Sequence, residues 1–349
     1  MLKVRDCSAP PKHRAGWLTR CIARSIVARG FDRRSLLSAL AITAALALVP
    51  GQASAQDATW ALNPTVPAGG PYDFNKDANW TNPATVPTGT AFFDFTNGPN
   101  ITFPAAGSLV PTTIGGWTFN AGANNYDFTV GANNLLQFGG AGIVVNGGSA
   151  SITNDGTIAF ESAASAGMAT IINNQNLLFA RTSTAGNATI TNSGLLEFIQ
   201  QATAGNATII NNAVSGSGLD FFQRSTAGNA NITNNSSISF QNQSTAGNAK
   251  ITNNDDLRFI ENSTAGNAAL TNNGLIIFFE NSSAGAATIT NNDIIIFGGN
   301  STAKGSNITN NVDLRFGGTA TADNANISNN FLLRFFTNST GGNAAITNS

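Results

Sequence analysis

A repeat of 19 residues constrains this chain more than any other feature. With the Gly of an Ala-Gly-Asn triplet as origin, units begin at Gly148, Gly167, Gly186, Gly205, Gly228, Gly247, Gly266, Gly285, Lys304, Asp323 and Gly342. One interval alone departs from 19: it is 23 between Gly205 and Gly228, where residues 213–218 (AVSGSG) accommodate four extra residues. Offset +2 is Ala in every unit but one, Ser306, and offset +4 is Ile except at Leu270. Offset +6 is always Asn. Offset +10 is Leu or Ile, and offset +12 is always Phe, counting past the extra residues in the long unit.

Offsets 2, 4 and 6 alternate, as do 10 and 12. A period of two is strand geometry with these positions on one face. The interleaved offsets +3 and +5 are mostly Thr, Asn or Ser, which suits solvent. The Asn-Asn or Asn-Gly between the two runs is turn chemistry, and the Ala-Gly-Asn triplet is a second corner. A third strand is possible near the Ser-Thr pair.

One such unit buries too few apolar side chains to offset the ordering of its backbone. Stacked units solve this, because each strand then hydrogen-bonds to the one below. The expected fold is therefore all-β, a parallel β-helix or solenoid with 19-residue rungs. Ten complete rungs predict a rod of about 48 Å. A linear array of hairpins is the competitor, but it demands tight reversals and alternating faces that an unvarying period does not supply. Stacking predicts an inward amide ladder of Asn154, Asn173, Asn192, Asn211, Asn234, Asn253, Asn272, Asn291, Asn310 and Asn329. It also predicts a core stack of Phe160, Phe179, Phe198, Phe221, Phe240, Phe259, Phe278, Phe297, Phe316 and Phe335.

The chain opens differently. Residues 1–34 are basic, and residues 36–49 (LLSALAITAALALV) form an apolar run ended by Pro50. Ala53-Ser54-Ala55 follows, so residues 1–55 have the three parts of a secretory signal peptide with an extended basic start, cut after Ala55. Arg33-Arg34-Ser35-Leu36-Leu37 loosely resembles a twin-arginine signal. The apolar run is too short to span a bilayer as a helix. Cys7, Cys21 and His13 all precede the cleavage site, so the exported chain has neither Cys nor His. That excludes thiol nucleophiles, disulfides, Ser-His-Asp triads and His- or Cys-ligated metals. The first 55 residues hold 9 of the 17 Lys and Arg but 2 of the 18 Asp and Glu, which leaves the remainder at a formal charge of −8. Such a body is a poor partner for nucleic acid.

Residues 56–147 are less regular and hold Trp60, Trp80, Trp117 and most of the Pro. They are expected to form early irregular rungs and an N-terminal cap, because an open solenoid end exposes strand edge and core. Residues 148–349 are the regular repeat, which stops in mid-unit at Ser349.

Within residues 56–147, Asp77-Ala78-Asn79-Trp80 with Val86-Pro87 and Ala91-Phe92-Phe93 is similar to the opening of bacterial autotransporter passengers. The repeat AGNATITNNGxLxF resembles their β-strand repeats, and in character the resemblance covers residues 36–349. It implies a right-handed β-helix carried to the cell surface through an outer-membrane β-barrel translocator. No alternating barrel strands and no closing cap follow the repeat, which gives the expectation of a truncated gene or fragment, periplasmic if the barrel is truly missing.

Stacking also pairs outward residues on adjacent rungs. Glu197 and Asp220 share offset +11, Glu261 and Glu280 offset +14, and Arg315 and Arg334 offset +11. Paired carboxylates can hold a cation or work as acid and base. The expectation here is plain solvated pairs with modestly shifted pKa. Ile277 and Ile296 share offset +11; Ile199, Phe222, Ile260, Phe279 and Phe336 lie at +13. These form either an external apolar stripe or an inward turn at a corner, the inward turn being favoured. No catalytic residue, cofactor or metal is expected. The sequence thus leads to an exported surface protein of structural or adhesive role, secreted or held at the outer membrane, with an unidentified host or matrix ligand. A polysaccharide-acting β-helix enzyme and a non-functional remnant are the alternatives.

Overall fold

The Ala, Ile, Asn, Leu and Phe columns of the repeat all point into one continuous interior. The computed structural model describes residues 55–64, 71–214 and 217–349. The export segment, with Ala53, lies outside these residues, and Ala55 is the first described. Among the described residues no helix is long and apolar enough to cross a membrane.

Each regular unit contributes two four-residue strands, as in Thr189–Asn192 and Leu195–Phe198. The first kind builds a 14-stranded sheet, here the Asn sheet, and the second a 15-stranded sheet, the Phe sheet. From Gly148 on, the pairings between successive coils are parallel and in register, so Ile232 faces Ile251 and Phe240 faces Phe259. A third side is a column of single parallel bridges from Ser165 through Thr184, Thr203, Thr226 and Thr245 to Thr340. The Ser-Thr pair therefore forms a ladder, but one residue wide rather than a strand. The architecture is a parallel β-solenoid with the 19-residue rung.

Two sharp bends shape each coil. At offset 0, Gly247 has φ 63°, and its backbone N–H donates to Thr245 Oγ1 at 3.0 Å. At offset +14 the chain again enters the left-handed region, now with non-glycine residues such as Gln223 (φ 62°) and Glu261 (φ 62°). The small inward residues between these bends, at +16 and +18, and just past the offset-0 bend, at +2, such as Ser244, Ala246 and Ala249, are fully buried. Their small size lets the third side lie close to the two sheets.

Inside, the columns stack as the period demands. From Phe138 to Phe335, neighbouring rings lie 4.6–4.9 Å apart with 4–10° between planes. The Phe rings are fully buried up to Phe316, whereas Phe335 on the last coil is 37% exposed.

The same two sheets continue through the described residues of 58–64 and 71–147, but the core changes from one repeated Phe to packed large aromatics. Trp60 and Trp80 meet edge to face at 4.9 Å, and Trp117 stacks on Phe128 at 4.1 Å. Trp80 Nε1 donates to the Phe74 carbonyl at 2.8 Å, so the buried indole is satisfied. Strand Trp80–Thr81 runs antiparallel to Ala58–Trp60 and covers that edge of the Phe sheet. An antiparallel turn at this point ends the parallel stacking and blunts an edge that would otherwise pair freely.

Candidate functional site

The inner Asn column forms the expected ladder. Asn154 Nδ2 donates to Asn173 Oδ1 at 2.7 Å, and the pattern repeats through Asn192, Asn211, Asn234, Asn253, Asn272, Asn291 and Asn310 to Asn329. Each amide also donates to backbone carbonyls at the corner, as Asn272 does to Gly274 at 2.8 Å and Ile294 at 3.0 Å. The ladder thus ties the corner between the two sheets, and its role is structural.

Two further amide ladders run on the outside. At offset +7, Asn235, Asn254, Asn273, Asn292, Asn311 and Asn330 each donate to the Asn or equivalent residue of the preceding coil at 2.8–3.0 Å. At offset +1, Asn206, Asn229, Asn248 and Asn267 do the same at 3.1–3.2 Å. The Asn of the turn was legible as turn chemistry; that it also stacks follows from the same fixed offset and was missed. Between these ladders lie the outward positions +3 and +5, such as Thr189, Thr191, Thr288 and Thr290. The outer face of the Asn sheet is thus a grid of four columns of mostly small polar residues, with Ile210 exposed among them. From Asn187 to Thr347 the grid holds one charged residue, Lys250.

The outer face of the Phe sheet is different. Offsets +11 and +13 point outward on either side of the inward Phe, yet many are covered. Leu135, Ala159, Leu178, Ala180, Ile199 and Phe222 form a second apolar cluster separate from the interior. The favoured inward turn at +13 is therefore wrong: strand alternation continues one residue past Phe, and the bend comes only at +14. Ile260 and Ile277 are also buried, while Ile296, Phe279 and Phe336 are partly exposed.

Glu197 and Asp220 sit in register on this face, with Ile199 and Phe222 beside them at +13. The expectation of a solvated pair fails here. Glu197 is 5% exposed, and its Oε1 is buried without a hydrogen-bond partner. Burial, and secondarily the Asp220 charge, pushes the Glu197 carboxyl up to about 8. Burial also pushes Asp220, which is partly exposed, up to about 7.

The other charged columns resolve otherwise. Glu261 and Glu280 occupy neighbouring corners with left-handed φ. Glu261 Oε2, however, accepts the Asn242 backbone N–H at 2.8 Å and its side-chain amide, on the coil away from Glu280. Arg315 and Arg334 both converge on buried Asp313, Arg315 at 2.5 Å. Arg258 likewise pairs with buried Asp256 at 2.5 Å. At the corner of these coils, Asn254, Asp255, Asn273, Gly274 and Asp293 line a surface recess of about 280 Å³. Among the described residues no three acidic groups gather as a metal site would require.

No family model, curated protein or solved structure matches this chain.

Proposed function

We propose that this chain is an exported surface protein of the autotransporter-passenger kind, with a structural and adhesive role and no catalysis. The observation that carries the reading is the outer grid of the Asn sheet. It is repeated from coil to coil, almost free of charge, and backed by a rod whose interior is continuous. Such a face suits many weak, equivalent contacts whose sum is strong. The basic and apolar start of the sequence and the Asn79-Trp80 opening support export and a place at the cell surface or outside the cell. An outer-membrane β-barrel translocator would be its export partner, and a host or matrix surface its ligand.

The test is binding of the purified chain to arrays of glycans and matrix proteins, run beside hydrolysis assays on the same glycans. Saturable retention that falls when Thr252 and Thr271 are both changed to Lys, with folding intact, is the expected result. Release of new reducing ends without retention would sink the adhesive reading. It would favour instead a polysaccharide-acting enzyme, for which the Glu197–Asp220 pair is the one specific feature.

A further inference from the structure

The coil that breaks the period also carries the stacked acidic pair. Its extra residues fall within 213–218, immediately before strand Leu219–Phe221, which bears Asp220. Glu197 lies opposite Asp220 on the preceding strand, at the strand spacing of about 4.8 Å. Along the same column, Leu178 precedes Glu197 and Ser239 follows Asp220. Ile199 and Phe222 close the side at offset +13.

The charged groups of the packed coils are engaged elsewhere. Arg181 pairs with Glu161 at 3.2 Å, Arg224 donates to Gln243 at 3.2 Å, and Arg258 holds Asp256. Ser239 Oγ accepts from Gln241 at 2.9 Å. Two neighbouring carboxylates in apolar surroundings resist ionising together, through desolvation and mutual repulsion. A metal ion would ask for six or more oxygen ligands, and Leu178, Ile199 and Phe222 supply none. A proton asks only for the two carboxyls, and Glu197 Oε1 is buried without a partner, as are Gln200 Oε1 on the same coil and Glu161 Oε1.

We infer that Glu197 and Asp220 share one proton at neutral pH, the Glu197 hydroxyl donating to the Asp220 carboxylate, and that this bond latches the irregular coil and opens as the pH rises above neutrality. The directions of titration agree, since burial raises both groups, to about 8 and about 7. A carboxyl raised in the folded state binds more protons folded than unfolded. Its contribution is complete below the unfolded carboxylate range and is lost as pH rises through those raised values. Above them two charges face each other on neighbouring coils. The strands that carry the two charges, Leu195–Phe198 and Leu219–Phe221, are then the first to open.

Infrared spectra of the full chain test this through the carbonyl stretch of an un-ionised carboxylic acid, with hydrogen exchange of the amides of 195–198 and 219–221 as the second readout. The wild type should show the band at about pH 6 and lose it between about pH 7 and pH 9. Exchange in those strands should then exceed the intrinsic pH effect by about tenfold or more. Glu197→Gln should weaken the band at neutral pH, leaving the part that buried Asp220 contributes and loses near pH 7, and should flatten the extra exchange. Asp220→Asn, which keeps Glu197 but deletes the repulsion, should move loss of the band to lower pH by about one unit. A wild-type band absent at pH 6, or a band unchanged by both substitutions, would overturn the latch.

Discussion

Asn253 and Asn254 are adjacent in sequence and send their side-chain amides in opposite directions along the rod. Asn253 donates forward to Asn272 at 2.9 Å, and Asn254 donates back to Asn235 at 2.8 Å. The direction of the inner ladder is fixed by backbone: Asn253 Nδ2 also meets the Leu275 carbonyl at 3.1 Å, so its amide nitrogen must face that side. The outer ladder has no such anchor and lies in water. The two ladders have one chemistry and differ only in burial.

Burial should therefore separate their energetics. Asn253→Ala takes one buried partner each from Asn234 Nδ2, Asn272 Oδ1 and the Leu275 carbonyl and is expected to cost about 1–3 kcal/mol. Asn254→Ala leaves water to replace the lost bonds and is expected to cost less than about 0.5 kcal/mol. Denaturant titrations of the two variants, read at the same protein concentration, make the comparison.

Phe240 and Phe279 give the matching contrast for aromatics. Phe240 is fully buried between Phe221 at 4.6 Å and Phe259 at 4.8 Å. Phe240→Ala is expected to cost about 3–5 kcal/mol. Phe279 is at +13, outside the interior and partly exposed, so Phe279→Ala is expected to cost less than about 1.5 kcal/mol. Equal losses in denaturant melts would mean that offset +13 belongs to the interior after all.

That contrast marks what the sequence made legible. A strict period with Phe at +12 and Asn at +6 leaves only stacking as a way to bury both, so coil length, strand placement and inner columns could be read directly. Parity says that +11 and +13 face away from +12. It does not say how deep an outward residue lies, because depth depends on the bend at +14. That bend is made by Asn242, Gly299 and Gly318, which favour a left-handed turn, but also by residues as different as Gln223, Glu261 and Thr337, which do not, so the column carries no consistent signal. Glu197 therefore read as a surface acid. The Ser-Thr pair read as the place of a third strand, but which of the two residues points inward was not legible, and it is the Ser.

Those inward serines lead to an unusual expectation. Ser225, Ser244, Ser263, Ser282 and Ser301 follow one another up the third side, each hydroxyl buried without a hydrogen-bond partner. Ala164, Ala202 and Ala320 fill the same column and are equally buried. An unpaired buried hydroxyl costs free energy that a methyl group does not. Ser244→Ala should leave stability unchanged or raise it by up to about 1 kcal/mol. A loss of more than that in a thermal or denaturant melt would show that the hydroxyl is satisfied in solution.

Gly247 should be far less tolerant. Its φ is 63°, and an added Cβ would lie 2.9 Å from the Gly228 carbonyl oxygen of the preceding coil. Lys304 and Asp323 stand at the same offset with φ 53°, so the corner admits a side chain when the backbone turns slightly. Gly247→Ala is expected to cost about 1–2 kcal/mol, from left-handed strain and the close carbonyl together. Loss of protection at the Gly247 amide in hydrogen exchange would locate the damage at that corner.

Calcium is the last discriminator, because an acidic rod invites the idea of a cation site. Asp256 and Asp313 are paired with arginines, and Glu261 faces Asn242. Asp255 and Asp293 line the same recess but lie two coils apart, about 10 Å, across Gly274. Two carboxylates leave most of the six to eight oxygen ligands of a calcium ion unsupplied, and among the described residues no third acidic group gathers with them. Calorimetric titration with millimolar calcium should therefore give no saturable heat, and the melting temperature should not move. A saturable isotherm abolished by Asp293→Asn would instead place a cation in that recess, with its oxygen ligands drawn from Asp255, Asp293 and water.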